Sequence, residues 1–182
     1  MSIQSPSTAL YEIGRGIAWI AEWSGTTPPT WPTDYYDLGA VDAFEVTVTE
    51  ELLEHFSKRS GLRVKDKTVV IESGYEFSMT LDEMSAKNMS LYLKASIEGN
   101  VLHANQLVGQ EYALRFNADN PIQGGQKQRW ELWRFTLSPD GALALLGDEW
   151  KQIGLSGTGL ADEANHSSSP LFDVTILTTT TT

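Results

Sequence analysis

Cysteine is absent from this 182-residue chain. That excludes a disulfide framework, thiolate metal sites and a cysteine nucleophile together. Histidine is scarce. His55, His103 and His166 lie far apart, with no pair at metal-ligand spacing, so no metal site is expected. No run of about 18 apolar residues exists, so no membrane-spanning helix is expected. The first residues, MSIQSPSTALYEIGRG, lack the basic-then-apolar pattern of a secretory signal. The expectation is a soluble chain that folds in a cytoplasm. Bases are outnumbered, 13 Lys and Arg against 24 acids, for a formal charge of −11. A nucleic-acid grip needs cations to displace counterions, so this balance disfavours one. An acidic surface that repels DNA is compatible with it.

Catalytic patterns are also missing. The run Gly154-Leu155-Ser156-Gly157-Thr158-Gly159 looks briefly like a nucleophile elbow. It lacks the glycine at the fifth position and the strand–turn–helix context. A flexible glycine loop before the last strand is the reading taken. Gly14-Arg15-Gly16 has neither a third glycine nor a phosphate-binding lysine, and reads as a bend or bulge in the first strand. Glu72 and Glu76, four apart on a strand, stand about 13 Å from each other. Glycosidase carboxylates are closer, at about 5 to 9.5 Å. No enzyme activity and no cofactor are expected.

What is present is strand alternation. Val69, Ile71, Tyr75, Phe77, Met79 and Leu81 fall on one face, with Glu72, Glu76, Ser78 and Thr80 on the other. From Asp42 to Thr49, Phe44, Val46 and Val48 oppose Ala43, Glu45, Thr47 and Thr49. Val108, Tyr112, Leu114 and Phe116 alternate with Glu111, Arg115 and Asn117. Further strands are predicted in Tyr11–Trp23, Arg129–Leu137, Glu149–Leu155 and Pro170–Leu177. One helix is predicted from about Asp82, as N-cap, to Ala95. Met84, Asn88, Leu91 and Ala95 share its buried side, and Lys94 sits in its last turn.

Three stretches read as irregular. Ser24–Tyr36 holds three prolines, His55–Lys67 is polar around Gly61 and reads as a long hairpin tip, and Asn117–Lys127 contains Pro121, Gly124 and Gly125. Five threonines, Thr178–Thr182, end the chain with nothing apolar to bury and are expected to be mobile. Residues 1–177 are expected to form one domain. The pattern predicts a mainly β fold, a β-sandwich or partly open barrel with one flanking helix. Such a sheet leaves strand edges that a monomer must blunt and an assembling subunit can use.

Charge is distributed unevenly. Gly16 to Ser57 contains no Lys or Arg and eight acids: Glu22, Asp34, Asp37, Asp42, Glu45, Glu50, Glu51 and Glu54. Lys58, Arg59, Arg63, Lys65 and Lys67 then crowd together with only Asp66 among them. Two solvated loops of opposite sign explain this as well as a subunit whose acids meet a neighbour's bases does. The tryptophans, Trp19, Trp23, Trp31, Trp130, Trp133 and Trp150, are read as core and interface residues before a sugar platform.

The order of these features resembles the major tail tube proteins of long-tailed phages, which share a fold with the tubes of contractile tails and type VI secretion. The resemblance rests on four stretches within about residues 11–95. They are the opening strand Ile13-Gly14-Arg15-Gly16-Ile17-Ala18-Trp19-Ile20, the segment Leu38-Gly39-Ala40-Val41 running on to Glu51, the charged stretch Gly61–Asp66, and the helix Leu81–Leu93. The long Ser24–Tyr36 insertion has no counterpart in that pattern.

The resemblance implies six-membered rings stacked into a hollow virion tail tube, assembled in the host cytoplasm. It implies an acidic lumen that passes phage DNA as non-specific cargo. It also implies growth around a tape-measure protein, with tail-terminator and tail-tip partners and no membrane. On that basis Glu45, Thr47, Thr49, Glu72, Glu76, Ser78 and Thr80 are expected to line the lumen. Residues 55–67 are expected to be the stacking loop. Its Lys58, Arg59, Arg63, Lys65 and Lys67 would meet Asp34, Asp37, Glu50, Glu51 and Glu54 of the adjoining ring. The competing readings are a carbohydrate-binding β-sandwich of an adhesion protein and a tail-completion or head–tail connector subunit.

Overall fold

The computed structural model describes residues 14–59, 61–119 and 127–177. Among them are ten strands and one helix: β1 (Gly16–Trp23), β2 (Tyr36–Asp37), β3 (Val41–Ser57), β4 (Val64–Leu81), α1 (Ala86–Leu93), β5 (Ser96–Glu98), β6 (Val101–His103), β7 (Glu111–Ala118), β8 (Lys127–Pro139), β9 (Ile153–Gly159) and β10 (Phe172–Leu177). Eight strands form one sheet in the order β2-β1-β7-β8-β9-β4-β3, and β10 joins it on β8. The fold is mainly β, with an open sheet and one flanking helix.

The sheet curls around its own apolar face. Phe44 on β3 stacks near Phe116 on β7, ring centres 5.1 Å apart, although four pairing steps separate the two strands. Tyr75, Phe77, Met79 and Leu81 from β4 meet Leu132, Phe135 and Leu137 from β8 in the core, with Ile20, Leu38 and Ile153. Burial of these side chains supplies the main driving force, about 1.5–3 kcal/mol each. β8 is the hub. One edge pairs with β7, while the other serves β10 at Lys127–Leu132 and β9 at Phe135–Pro139.

Glycines let the strands close in. A β-carbon on Gly157 or Gly159 would overlap the rings of Phe77 and Tyr75, and one on Gly16 would overlap Asn117 and Phe116. Residues 154–159 are therefore not a flexible loop. They belong to β9, with Ile153 and Leu155 fully buried.

Other expectations are corrected in their bounds. The helix begins at Ala86 because the Ser85 hydroxyl accepts the Asn88 amide proton, whereas the Asp82 amide donates to Ala40 and stays with the sheet. Lys94 is the left-handed cap, φ 49°, outside the last turn. Asn88, Leu91 and Ala95 are buried as the helical spacing predicts. A short hairpin, β5–β6, follows through Gly99 at φ +60° and was not anticipated. The strand predicted at Glu149–Leu155 starts only at Ile153, and Val108 lies outside β7. Residues 11–13, 120–126 and Thr178–Thr182 lie outside the described residues.

The largest departure is residues 55–67. β3 and β4 run 17 and 18 residues and pair from Val41/Leu81 to Ser57/Val64, so only the turn between them is irregular. β9 covers β4 only from Glu76 to Leu81. The remainder is a two-stranded ribbon reaching away from the body. Register shifts occur between Glu51 and Leu52 and between His55 and Phe56. The first makes Ile71 an extra residue and places Val70, not Ile71, opposite Leu52.

Candidate functional site

The lumen residues expected from sequence are brought together on one face. Strand pairing sets Glu45 opposite Ser78, Thr47 opposite Glu76 and Ala43 opposite Thr80, all pointing away from the core. Thr49 pairs with Gly74 one step further out, and Glu72 pairs with Glu51. Glu45, Thr47, Thr49, Glu72 and Glu76 are exposed, while Ser78 and Thr80 are half-buried.

Two further strands extend this face. Ser156 lies beside Ser78 and Ser138 beside Ser156, giving one transverse row, Glu45-Ser78-Ser156-Ser138. Thr158 and Thr136 continue the next, Thr47-Glu76-Thr158-Thr136. A shallow hollow of about 280 Å³ lies among Glu45, Glu76, Ser156 and Thr158. The residues of β9 were missed because its glycines were read as loop, whereas β8 was predicted as a strand without its place beside β9. The alternation of Ile153 and Leu155 with Ser156 and Thr158 carries the signal.

The residues expected to stack rings are divided. Lys58 and Arg59 sit exposed at the ribbon tip. Lys65 Nζ is 2.5 Å from Glu54 Oε1, and His55 Nδ1 is 2.6 Å from Asp66 Oδ1, both across the same ribbon. The Arg63 guanidinium lies 4.4 Å from the centre of the Phe56 ring, and Lys67 pairs with His55. Glu50 pairs with Ser73 on the face opposite to Glu51. Asp34 and Asp37 are elsewhere, beside β1 and β2 at the other end of the strand order. Asp34 accepts from the Thr30 amide at 2.7 Å and Asp37 from the Gly39 amide at 2.8 Å. The ten residues do not form one patch within the subunit.

The ribbon also carries apolar groups in water. Val48, Leu52, Leu53, Leu62, Val64, Val69, Val70 and Ile71 are all exposed. An isolated hairpin is marginal in water, and an uncovered apolar ribbon marks an interaction surface. The outer edge of β3, the edge of β4 beyond Glu76 and one edge of β10 have no strand partner among the described residues. Each leaves backbone donors and acceptors free to pair with another chain.

The Ser24–Tyr36 insertion covers the opposite flank. Trp31 packs edge-on against Trp19 at 5.2 Å and against Tyr35 at 5.4 Å, and the Arg115 guanidinium lies 4.1 Å from its ring centre. Burial lowers the Arg115 pKa, opposed by Glu131 3.6 Å away. Burial likewise pushes the Tyr35 phenol up to about 12. Between the insertion and α1 lies a hollow of about 670 Å³ lined in part by Glu22, Asp34, Tyr36 and Lys87. Of the other tryptophans, Trp130 stacks on Phe172 and Trp133 on His166. Trp150 is the exception, 96% exposed.

Among the described residues no three His, Asp or Glu side chains group as a metal site, and no helix is long and apolar enough to cross a membrane. The Asp162–His166 pair, 2.7 Å apart, is a structural clasp: Asp162 is 4% exposed and also accepts from Asn165.

The class defined is an open, mainly β fold with one flanking helix, a projecting hairpin and a polar sheet face. Over residues 11–101 and 97–171 the chain matches the family described as "Protein of unknown function UCP028589", and it belongs to that family. No curated protein matches it. Among solved structures, a chain of the tail of an empty GTA particle with C6 symmetry is similar over 97% of this chain and 99% of that one, at a TM-score of 0.36 and 10% identity.

Proposed function

We propose that the chain is a structural subunit that assembles with copies of itself into a hollow tube, as the tail-tube resemblance implies. The observation that carries this reading is the juxtaposition of an unpaired 17-residue strand edge on β3 with an exposed polar face spanning β3, β4, β9 and β8. Copies complete one another's edges by strand addition, where main-chain hydrogen bonds supply affinity. The closed sheet turns its polar face to the bore. Glu45 and Glu76 then repeat around it, and Glu51 and Glu72 form a further acidic ring. Low-dielectric walls concentrate their field, so a polyanion passes without adhering.

In this reading the ring holds six copies, the rings stack, and DNA is the non-specific cargo of a virion tail. The tape-measure, terminator and tip proteins are its further partners. The ribbon tip, with Lys58, Arg59 and Arg63, reaches the adjoining ring and meets Asp34 and Asp37. Lys65 and Glu54 are engaged with each other in the subunit and contribute only by exchanging partners.

Negative-stain microscopy of concentrated protein tests the reading. Rings or tubes are the expected result. A compact monomer at all concentrations would sink it. So would a tube map with Glu45 and Glu76 on the outer wall. Charge reversal at Lys58 and Arg59 is expected to leave rings but stop stacking; tubes of unchanged length would remove the tip from the ring contact.

A further inference from the structure

Four buried side-chain polar atoms have no hydrogen-bond partner among the described residues: Asn88 Oδ1, Arg115 Nε, Asn117 Oδ1 and Arg129 Nε. Three of them meet at one place on the sheet. Arg115 and Asn117 stand two apart on β7, and Asn117 pairs with Arg129 on β8. Leu114 lies in the core, and Phe116 and Trp130 pack against it, so strand alternation turns Arg115, Asn117 and Arg129 to the other face. Phe116 meets Phe44 of β3 in the core, which sets this face on the side of the molecule away from Glu45. Buried polar groups are almost always paired, so a cluster of three unpaired ones calls for a shared partner.

Neighbouring groups serve the two guanidinium groups poorly. Arg115 is 8% exposed, and Trp31 of the Ser24–Tyr36 insertion covers one face of its plane. Stacking of that kind leaves the in-plane N–H groups free to donate. Glu131 is 3.6 Å from Arg115 Nε, beyond hydrogen-bond length. Burial lowers the Arg115 pKa, Glu131 opposes that, and the charge of Arg129 adds to it. The other acids on this side are engaged elsewhere. Asp119 is held between Lys127 and Arg15, at 2.7 and 3.6 Å. Asp34 and Asp37 accept from the Thr30 and Gly39 amides. Asp173 pairs with Glu131, whereas the β10 partner of Arg129 is Thr175. Arg129 therefore has no ion-pair partner among the described residues.

We infer that Arg115, Asn117 and Arg129 form a binding site for a small oxyanion, a phosphate or a carboxylate. Two guanidinium groups offer in-plane donors to its oxygens, and such charge-assisted bonds are the strong ones. Asn117 Oδ1 accepts from the hydroxyl of a hydrogenphosphate, and a half-turn of the amide offers Nδ2 to a carboxylate instead. Arg129 and Asn117 are half-buried, so the site opens to solvent on their side. The insertion that the tail-tube pattern lacks supplies its wall through Trp31. The site lies apart from the free strand edges and does not depend on self-assembly.

Nuclear magnetic resonance of the arginine Nε–H groups tests this directly, with Arg115→Lys and Arg129→Lys to assign the signals. The isotope-labelled chain is titrated with inorganic phosphate and, separately, with acetate, at ionic strength held constant by chloride. The expected result is a saturable shift at Arg115 and Arg129 while Arg59, exposed at the ribbon tip, stays still. Arg129→Gln removes no hydrogen bond or ion pair of the fold and is expected to weaken binding about tenfold or more. The ligand should also raise the melting temperature of the wild type and not that of Arg129→Gln. Phosphate held tighter than acetate assigns the site to phosphate. Acetate held as tightly or tighter assigns it to a carboxylate of another protein. Shifts that grow without saturation, at Arg59 as much as at Arg129, report an ion atmosphere and overturn the site. So does the lack of any shift with either anion, or unchanged binding in Arg129→Gln.

Discussion

Glu51 and Glu72 are direct register partners across the β3–β4 ribbon, two exposed carboxylates with no ion pair to either among the described residues. Sequence grouped Glu51 with the stacking acids and Glu72 with the lumen; pairing puts both on the polar face. Like charges directly opposite on neighbouring strands repel. Glu51→Gln is therefore expected to stabilise the subunit, by on the order of 0.2–0.5 kcal/mol given its exposure. The gain should shrink from low to high salt as screening removes the repulsion. Thermal melts at two ionic strengths measure it, and a loss of stability would show that the pair is held apart or bridged.

Gly157 faces Phe77, and an added methyl has no room. Gly157→Ala should cost about 1–3 kcal/mol, the usual penalty of overpacking a tight core. Gly147→Ala is the control, since open space surrounds that position. Urea unfolding of the two variants should differ by that amount. Equal midpoints would mean that β9 is not pressed against the ring of Phe77.

Asn88 ties the helix to the chain that enters β3. Its Nδ2 donates to Leu38 O and to Glu83 O, each at 2.9 Å, and the side chain is 1% exposed. Asn88→Ala leaves two carbonyls without that donor and is expected to cost about 1–3 kcal/mol. Asn88→Asp should cost more, because it replaces the donor with an acceptor and brings a charge into the core. Denaturant midpoints of the three proteins give the order; Asp matching Asn would refute it.

Asp162 carries a pH dependence. Burial works against its ionisation, but hydrogen bonds from His166 and Asn165 outweigh it and hold the carboxyl below its ordinary 3.8. The folded pKa is thus lower than the unfolded one. The stability it supplies is complete above about pH 4–5 and is lost as pH falls through the lowered folded value. Asp162→Asn should flatten the acid limb of the stability curve below that range. Acid unfolding followed by the emission of Trp133, stacked 3.8 Å from His166, reads this out. An unchanged acid limb would contradict it.

The sequence shows its fold wherever one face is buried and the other wet. Tyr75, Phe77, Met79 and Leu81 alternate because water lies on one side of β4 and the core on the other. Outward of Gly74 both faces of the ribbon meet solvent, and no alternation survives to mark Phe56, Val64 or Lys65 as strand. β9 was hidden for the opposite reason. Its glycines answer to the volume of the rings of Tyr75 and Phe77, which are distant in sequence. Asp82 and Ser85 are both competent caps, and the choice was made by the tertiary hydrogen bond from Asp82 to Ala40. The pairing of Glu45 with Ser78 was legible as two matching polar faces. The isolation of Asp34 and Asp37 from Glu50 and Glu54 was not, because strand order cannot be read from charge.

β4 is clamped on both sides for its last six residues and on one side for the preceding twelve. Mechanically it is a cantilever whose free end is the tip of the ribbon. Amide protons should exchange slowly at the clamp and progressively faster outward, so the element best placed to touch a neighbour is also the softest. Any contact that grips the tip must offset the loss of that motion with part of its binding energy.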